Sequence, residues 1–247
     1  MTQSQRRSKK TVIATIYAMV ILSFVALTVF SLWPAPRAQE VIQGPTPDPL
    51  EVTVTETLPL AGGKADLVAI ISNPNDGFGV KDFTYQFVLE NPGGEQQTVS
   101  GRSFILPGDR QRAVVALNYT IENYQLADFI ISPGYSWSPL SRTDLPELIV
   151  RGVDVGISDK VGNFFTLSGV ITNRSPYNLK QIELIGIITN QSDEIIAVNR
   201  TFVRDVLDTE AREFEMIWND PIQDSRIDSV TVSPYSNVLD NEEFLLR

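Results

Sequence analysis

Acidic side chains offer this sequence its widest choice of chemistry, and three short segments concentrate them. In chain order, the clustered acids are Asp205, Asp208 and Glu210, then Asp220, Asp224 and Asp228, then Asp240, Glu242 and Glu243. Such carboxylates suit calcium, which takes about six to eight oxygen ligands, or the paired acid and base of glycoside hydrolysis. No segment has the D-x-D-x-D-G spacing of a calcium loop, and with 30 acidic residues some pairs lie close by chance. We interpret the clusters as solvated surface, with weak calcium binding between domains as the alternative.

Two residue types that perform much of enzyme chemistry do not occur, because the chain has no histidine and no cysteine. The lack of histidine removes the commonest general base and metal ligand. The lack of cysteine excludes disulfides, thiolate nucleophiles and cysteine-ligated zinc. The sequence also has no G-x-S-x-G, S-x-x-K or P-loop pattern. These observations predict a protein that is not an enzyme, with no cofactor, no metal site and no identifiable small-molecule substrate.

Aromatic residues that are predicted to be exposed, in or near loops, are better candidates for recognition, because loops on a rigid scaffold carry many binding residues. They are Tyr135, Trp137, Phe164, Phe165 and Tyr177. We predict them as contacts for a protein or cell-wall partner. For Tyr135 and Trp137 the favoured interpretation is that they fill a joint between two domains, and contact with a partner or glycan is the alternative.

Four N-x-S/T sequons begin at Asn118, Asn173, Asn190 and Asn199. Whether any of them carries a glycan depends on the host. Pro176 follows the Asn173 sequon and makes glycosylation there less favourable.

The elements that must position these residues are predicted to be β-strands. In "FTYQFVL", Phe83, Tyr85, Phe87 and Leu89 alternate with other residues, and "FEMIW" alternates Phe214, Met216 and Trp218 in the same way. A period of two places each set on one face of a half-buried strand. Turn-forming clusters such as "NPNDG", "NPGGE" and "NQSDE" separate the apolar runs. The fold class is therefore predicted to be all-β.

The chain repeats itself at an offset of about 100 residues, an internal duplication of one unit. "LVAIISNPND" at 67–76 aligns with "LSGVITNRSP" at 167–176, and "FIISPGYS" near residue 136 has its counterpart in "TVSPYSN" near 237. Asn73 and Asn173 occupy equivalent positions, where an asparagine side chain can imitate a backbone turn. We predict that both are structural turn residues. Short strands at regular spacing in each unit predict two tandem immunoglobulin-like β-sandwiches.

The segment "ISNPNDGFGVKDFTYQFVLENPGGEQQTVSGRSFILPGDRQRAVVAL" resembles the late-embryogenesis-abundant type 2 (WHy, water-stress) domain. That family also has Asn-Pro-Asn after a strand, then a strand, a hairpin and a Pro-Gly-type turn. In the second unit Asn173-Arg174-Ser175 replaces the triplet, and the unit is more similar to the FxLYD-type bacterial surface domain. Both resemblances imply an immunoglobulin-like sandwich. They imply little chemistry, since a fold does not determine a function.

Residues 11–33 form an uncharged run, "TVIATIYAMVILSFVALTVFSLW", which predicts a transmembrane helix. Its 23 residues would span about 34 Å as a helix, and a hydrocarbon core is about 30 Å thick. Arg6, Arg7, Lys9 and Lys10 precede the run, whereas Arg37 is the one basic residue that follows it closely, so the N-terminus is predicted to be cytoplasmic. The run is longer than a signal-peptide core and lacks a good cleavage site, which favours an uncleaved signal anchor over a cleaved signal peptide. The five prolines of residues 34–49 predict a stalk.

These features combine into one predicted organisation. The ranges are 1–10, basic tail; 11–33, membrane helix; 34–49, stalk; 50–137, first sandwich; 138–146, linker; 147–240, second sandwich; and 241–247, C-terminal tail. The net charge of −10 argues against nucleic acid as a partner. We expect a single-pass membrane protein, with its body outside the cytoplasm, that acts in binding or as a scaffold. The alternatives are an accessory subunit of a membrane machine and envelope stress protection of the water-stress type.

Overall fold

The structure, a computed structural model, describes residues 17, 19, 22, 23, 46–158, 164–220, 222 and 227–245. The backbone forms two compact units, Met1–Thr46 and Pro47–Arg247. In the first unit the residues at positions 17, 19, 22 and 23 are helical. The predicted tail 1–10 and most of the predicted membrane helix 11–33 and stalk 34–49 lie outside the described residues. Within the part that is described, no helix is both long and apolar enough to cross a bilayer.

The second unit begins with seven strands that form two antiparallel sheets. They are β1 (Glu51–Leu60), β2 (Lys64–Ser72), β3 (Phe78–Glu90), β4 (Gln96–Ile105), β5 (Arg112–Thr120), β6 (Gln125–Ile131) and β7 (Trp137–Pro139). Sheet I has the order β4-β3-β6, with β7 also paired to β3, and sheet II has the order β1-β2-β5. The alternating aromatic residues of β3 face Leu67, Ala69 and Ile71 of β2 in one buried cluster. Sheets I and II therefore form the first sheet pair, packed face to face as in a β-sandwich.

Six further strands repeat this arrangement. They are β8 (Leu148–Ser158), β9 (Phe164–Asn173), β10 (Leu179–Thr189), β11 (Ile195–Val206), β12 (Ala211–Trp218) and β13 (Ser229–Tyr235). Sheet III has the order β11-β10-β13 and corresponds to sheet I, and sheet IV has the order β12-β9-β8 and corresponds to sheet II. Leu167 and Ile171 of β9 pack with Ile182, Leu184 and other residues in the core of this second sheet pair. The all-β prediction is confirmed for the described residues of the second unit.

The two sheet pairs pack against each other through sheets II and III, so that four sheets stack in the order I, II, III, IV. The side chains of β2 alternate between two clusters. Leu67, Ala69 and Ile71 belong to the core of the first pair, whereas Val68 and Ile70 contact Ile185 and Val198 of sheet III. Strand β2 is therefore buried on both faces, and the contact between the pairs is built like a protein core.

The segment between the two sheet pairs begins later than the sequence indicates. Trp137 pairs with Val80, and Pro139 pairs with Phe78, so the predicted boundary at residue 137 falls inside β7. The rest of the predicted linker contains a 3-10 helix at Arg142–Asp144. At the C-terminus, a 3-10 helix covers Asn241–Glu243, and the residue after it, Phe244, forms a β-bridge with Leu179. The start of the predicted tail 241–247 is thus packed against the second sheet pair.

Candidate functional site

A buried ion pair joins the two sheet pairs. Arg112, the first residue of β5, donates from Nη2 to a carboxylate oxygen of Glu183 on β10, with a nitrogen–oxygen distance of 2.5 Å. Only 3% of the Arg112 side chain and 12% of the Glu183 side chain are exposed. The same Arg112 also donates from Nε to the carbonyl oxygen of Phe104, at 3.1 Å. One residue of sheet II is thereby tied to both sheet I and sheet III.

Two aromatic rings flank the Arg112 guanidinium. Its central carbon lies 4.6 Å from the ring centroid of Phe104 and 4.1 Å from that of Tyr235. The Tyr235 hydroxyl donates to the Gln111 carbonyl oxygen at 2.8 Å, a second contact between sheets II and III. Burial raises the pKa of Tyr235, and the negative charge of Asp109 acts in the same direction. Tyr235 therefore remains a neutral donor at neutral pH and positions the arginine through its ring.

An open cleft of about 250 Å³ lies beside this ion pair, where β4 and β5 face sheet III. Arg200 on β11 is the second cation at Glu183, with a nitrogen–oxygen distance of 3.6 Å, and its side chain is 35% exposed. The Arg200 guanidinium carbon lies 5.4 Å from the centroid of Phe202, whose ring is partly exposed. The lining residues are Arg102, Ser103, Phe104, Arg112, Gln181, Glu183, Arg200, Phe202, Tyr235, Ser236, Asn237 and Glu243. We call this cleft the arginine cleft.

A second, smaller cleft of about 180 Å³ lies elsewhere along the contact between the sheet pairs and is acidic. Asp66 of β2 accepts a hydrogen bond from the Asn118 backbone N–H at 2.6 Å, and Asp220 accepts one from the Ala61 N–H at 3.3 Å. Burial raises the pKa of Asp66, the hydrogen bond from Asn118 opposes that effect, and the charge of Asp220 adds to it. In the described part of the chain, no group of three or more acidic side chains converges as a metal site. The alternative of calcium binding between the domains stays a prediction.

A third groove lies within the first sheet pair, between the edge strands β1 and β6. It measures about 740 Å³, and its charged lining residues are Glu56 and Asp128, both acidic. Neither strand has a further partner on its outer side among the described strands. The groove therefore combines free backbone groups with negative charge.

Asn73 and Asn173 make equivalent hydrogen bonds in the two sheet pairs, and neither is exposed. The Asn73 carboxamide donates to the carbonyl oxygens of Phe78 and Leu106, at 2.7 and 2.9 Å. The Asn173 carboxamide donates to those of Tyr177 and Leu207, at 2.7 and 3.0 Å. Each side chain thus closes the turn after its strand against a distant loop, and all its donors are used within the fold.

The structure distributes the predicted contact residues among different environments. Tyr135 and Trp137 are half-buried, pack on the core of the first pair and stack edge to face with centroids 5.5 Å apart. They do not fill a joint between the pairs, because that contact lies between sheets II and III. Tyr177 is half-buried, lies 5.4 Å from the Phe244 ring and donates to the Asp144 carbonyl oxygen.

The adjacent phenylalanines at 164 and 165 are the first two residues of β9. Phe165 is 2% exposed and packs edge to face on Trp218, so the prediction that it lies on the surface is wrong. The doublet begins β9, and the side chain on the core face of a strand is buried. The backbone of Phe164 belongs to β9, and its side chain lies outside the described residues. The positions of these aromatic residues do not identify a partner. Their role in partner contact stays a prediction.

The residues that form the arginine cleft were not singled out from the sequence. Arg112 stands at the start of the apolar run "RAVVAL", and Glu183 interrupts "IELIGII". A charged residue inside or beside a strand that is otherwise apolar must find a partner if it is buried. A charged residue in or beside an apolar run is thus the sequence signal for a buried ion pair. The signal does not reveal which two charged residues pair with each other.

The structure shows the side-chain hydrogen bonds made by three of the four sequon asparagines. Asn173 is fully buried, and its amide nitrogen donates two hydrogen bonds, so its side chain is not accessible in the folded protein. The amide of Asn199 donates to the Ile217 carbonyl oxygen at 2.8 Å. Asn190 lies at a turn, and its amide donates to the Glu194 carboxylate at 2.8 Å.

Comparison with known proteins identifies no family. No protein-family model matches the chain, and no curated protein matches it. Among solved structures, the crystal structure of red sea bream transglutaminase is similar over 76% of this chain and 31% of that chain, with 14% sequence identity and a TM-score of 0.22. A similarity at this level carries no argument about fold or function.

Proposed function

We propose that this protein is a single-pass membrane protein that presents two immunoglobulin-like sandwiches outside the cytoplasm as a binding or scaffold module, without catalysis. The uncharged run 11–33, preceded by Arg6, Arg7, Lys9 and Lys10, supports the anchor and its orientation. The proline-rich segment 34–49 then separates the body from the bilayer.

The contact between sheets II and III is the single observation that carries the scaffold role. A scaffold must hold its binding surfaces at fixed distances, which requires domains that do not rotate freely. Domains joined only by a linker move relative to each other by default, unless their interface is large and hydrophobic. Here an apolar cluster with Val68, Ile70, Ile185 and Val198 joins the two sheet pairs, and the Arg112–Glu183 ion pair fixes the register between them.

The absence of cysteine makes the proposed topology simple to test. Two single-cysteine variants of the full chain, Ser4→Cys in the basic tail and Ser192→Cys in an exposed turn, would be treated with a membrane-impermeant maleimide. We expect Ser192→Cys to react in intact cells and Ser4→Cys to react only after lysis. Alkaline carbonate should leave both variants in the membrane fraction.

The unsubstituted chain provides the control for this experiment, since it has no thiol to label. Labelling of Ser4→Cys in intact cells, or release of the protein by carbonate, would refute the proposed anchor and orientation. Protection of Ser192→Cys until lysis would place the body on the cytoplasmic side and would equally refute the proposal.

A further inference from the structure

The arginine cleft differs in charge from the other clefts described above. Its lining contains three arginines and two glutamates, whereas the charged lining residues of the other two are Glu56 with Asp128 and Asp66 with Asp220. Arg102 is ion-paired with Asp82 and Arg112 with Glu183, so Arg200 is the lining cation with the least complete pairing, in a chain whose net charge is −10. Arg200 is therefore the group of the cleft that is available to an anionic ligand.

Hydrogen-bonding capacity remains within the cleft. Arg200 is held to Glu183 only by the 3.6 Å ion pair, which leaves most of its five N–H donors for another acceptor. Among the described residues, the buried side-chain atoms that have no hydrogen-bond partner are Nη1 of Arg112 and Oδ1 of Asn237, and both residues line the cleft. One is a donor and the other an acceptor. Hydroxyl groups both donate and accept, so a ligand with several hydroxyls matches the two kinds of atom.

The apolar part of the lining is aromatic. Phe202 of sheet III is 41% exposed, and the ring centroids of Phe104 and Tyr235 lie 4.6 and 4.1 Å from the Arg112 guanidinium carbon. An exposed aromatic ring beside amide, hydroxyl and guanidinium groups combines one apolar face with many polar contacts. The volume of about 250 Å³ is below the roughly 300–1,000 Å³ of pockets for drug-sized ligands. The arginine cleft therefore suits a small ligand.

We propose that the arginine cleft binds one acidic sugar unit, a hexuronate, of an envelope polysaccharide. The carboxylate pairs with Arg200, the apolar face of the sugar ring packs on Phe202, and the sugar hydroxyls bond to the amide and hydroxyl groups of the lining. This inference deepens the proposed function, because a body outside the cytoplasm is exposed to such polymers. It names the ligand class that the binding module recognises.

The test is a calorimetric titration of the purified full chain in detergent micelles with sodium galacturonate and sodium glucuronate. Galactose and glucose serve as neutral counterparts, and acetate and inorganic phosphate as simple anions. We expect a uronate to bind and its neutral counterpart to bind at least about tenfold more weakly, since one charge-assisted contact is lost. Arg200→Gln should weaken uronate binding by about tenfold for the same reason.

Arg174→Gln is the matched control, because Arg174 is also a partly exposed arginine of the second sheet pair and lies outside the cleft. It should leave uronate binding unchanged, and Phe202→Ala should weaken both the uronate and the neutral sugar. Melting temperatures would establish that each variant is folded. The proposal is overturned if acetate or phosphate binds as tightly as the uronate, if no uronate binds, or if Arg200→Gln has no effect.

This titration uses solubilised protein, so its result does not depend on which side of the membrane the body occupies. A failure of uronate binding with the expected thiol labelling would remove the ligand and leave the anchored scaffold. Uronate binding with the opposite labelling would refute the topology and leave the binding site.

Discussion

Two asparagines separated by one hundred positions hold equivalent loops in the two sheet pairs. The backbone N–H of Asn73 donates to the Asp109 carbonyl oxygen, and that of Asn173 donates to the Glu210 carbonyl oxygen, at 2.7 and 2.9 Å. Their carboxamides add the bonds to two further carbonyls described above. A buried asparagine with all these groups satisfied contributes more than a turn preference, because removing it leaves carbonyl groups without their donors.

We predict that Asn173→Ala lowers the free energy of unfolding by roughly 2–4 kcal/mol, since two carbonyl acceptors, on Tyr177 and Leu207, lose their side-chain donor. Asn190→Ala is the control, because the Asn190 carboxamide bonds only within an exposed turn, to Ser192, Glu194 and the Glu194 side chain. It should cost about 1 kcal/mol or less. Urea denaturation of the full chain measures both values. Equal losses in the two variants would contradict the structural role assigned to Asn173.

At the scale of single residues, the sequence predicts where a structural residue lies better than it predicts which groups that residue contacts. The repeat places Asn73 and Asn173 at equivalent sites, and a turn preference follows from the residue type. The carbonyl acceptors at Leu106 and Leu207 lie more than thirty residues away in sequence, and no local pattern reveals them. For the doublet at 164 and 165, a period of two requires the two side chains to point to opposite faces, but the sequence does not state which one enters the core.

At the scale of elements, the strands buried on both faces carry a signal that alternation alone does not capture. "LVAII" in β2 and "AVVAL" in β5 are continuous apolar runs, unlike the alternating "FTYQFVL" of β3. A continuous run indicates a strand covered on both sides. It therefore predicts that sheet II is a central layer. It does not identify sheet III as the neighbour, because that choice depends on the shape of two assembled surfaces.

The Arg112–Glu183 ion pair permits a test of the contact between sheets II and III. Arg112→Met leaves the largely buried Glu183 with only the longer contact to Arg200, so it should destabilise the protein by about 2–4 kcal/mol. The double variant with Arg112→Met and Glu183→Leu should be clearly more stable than the sum of the single variants predicts, since both charges are then absent. A double-mutant cycle by urea denaturation measures the coupling. Additive effects would show that the pair does not link the two sheet pairs energetically.

At the scale of the whole second unit, the stacking of sheets joins two different faces of the repeat. Sheet II of the first pair contacts sheet III, and sheet III corresponds to sheet I. The contact therefore joins two different surfaces of the repeated unit, which makes it heterologous, and no two-fold axis relates its two sides. Repetition of a heterologous contact gives an open-ended assembly. The outer faces of sheets I and IV are equivalent to the buried ones, and their composition determines whether further copies can add.

Polar residues replace apolar ones on these outer faces. In sheet II, Val115 pairs with Val68 and Ala113 with Ile70, whereas in sheet IV the corresponding pairs are Glu215 with Ser168 and Glu213 with Val170. In sheet III, Ile187 pairs with Val198, and the corresponding pair in sheet I is Val88 with Thr98. Charges and hydroxyls at these sites oppose further stacking, as polar outer faces do in the terminal units of repeat proteins.

We therefore predict that apolar residues at both outer faces convert the protein into an end-to-end polymer. The variant would combine Glu213→Ala and Glu215→Val on sheet IV with Thr98→Val and Gln86→Ile on sheet I, where Gln86 corresponds to Ile185, so that both outer faces approach the composition of the buried contact. With one full-length chain in each lipid nanodisc, its sedimentation coefficient should rise with concentration, because a heterologous contact does not close.

The matched control is Glu95→Val with Glu194→Val, which removes the same number of negative charges as the sheet IV substitutions, at turns away from the outer faces. This control should sediment as the unsubstituted chain does at every concentration. A four-residue variant that stops at a dimer would indicate a symmetric contact instead, and one that does not associate would show that polarity at these positions is not what ends the stack. We expect the polymer only if sheet IV of one molecule can pack on sheet I of the next in the way that sheet II packs on sheet III.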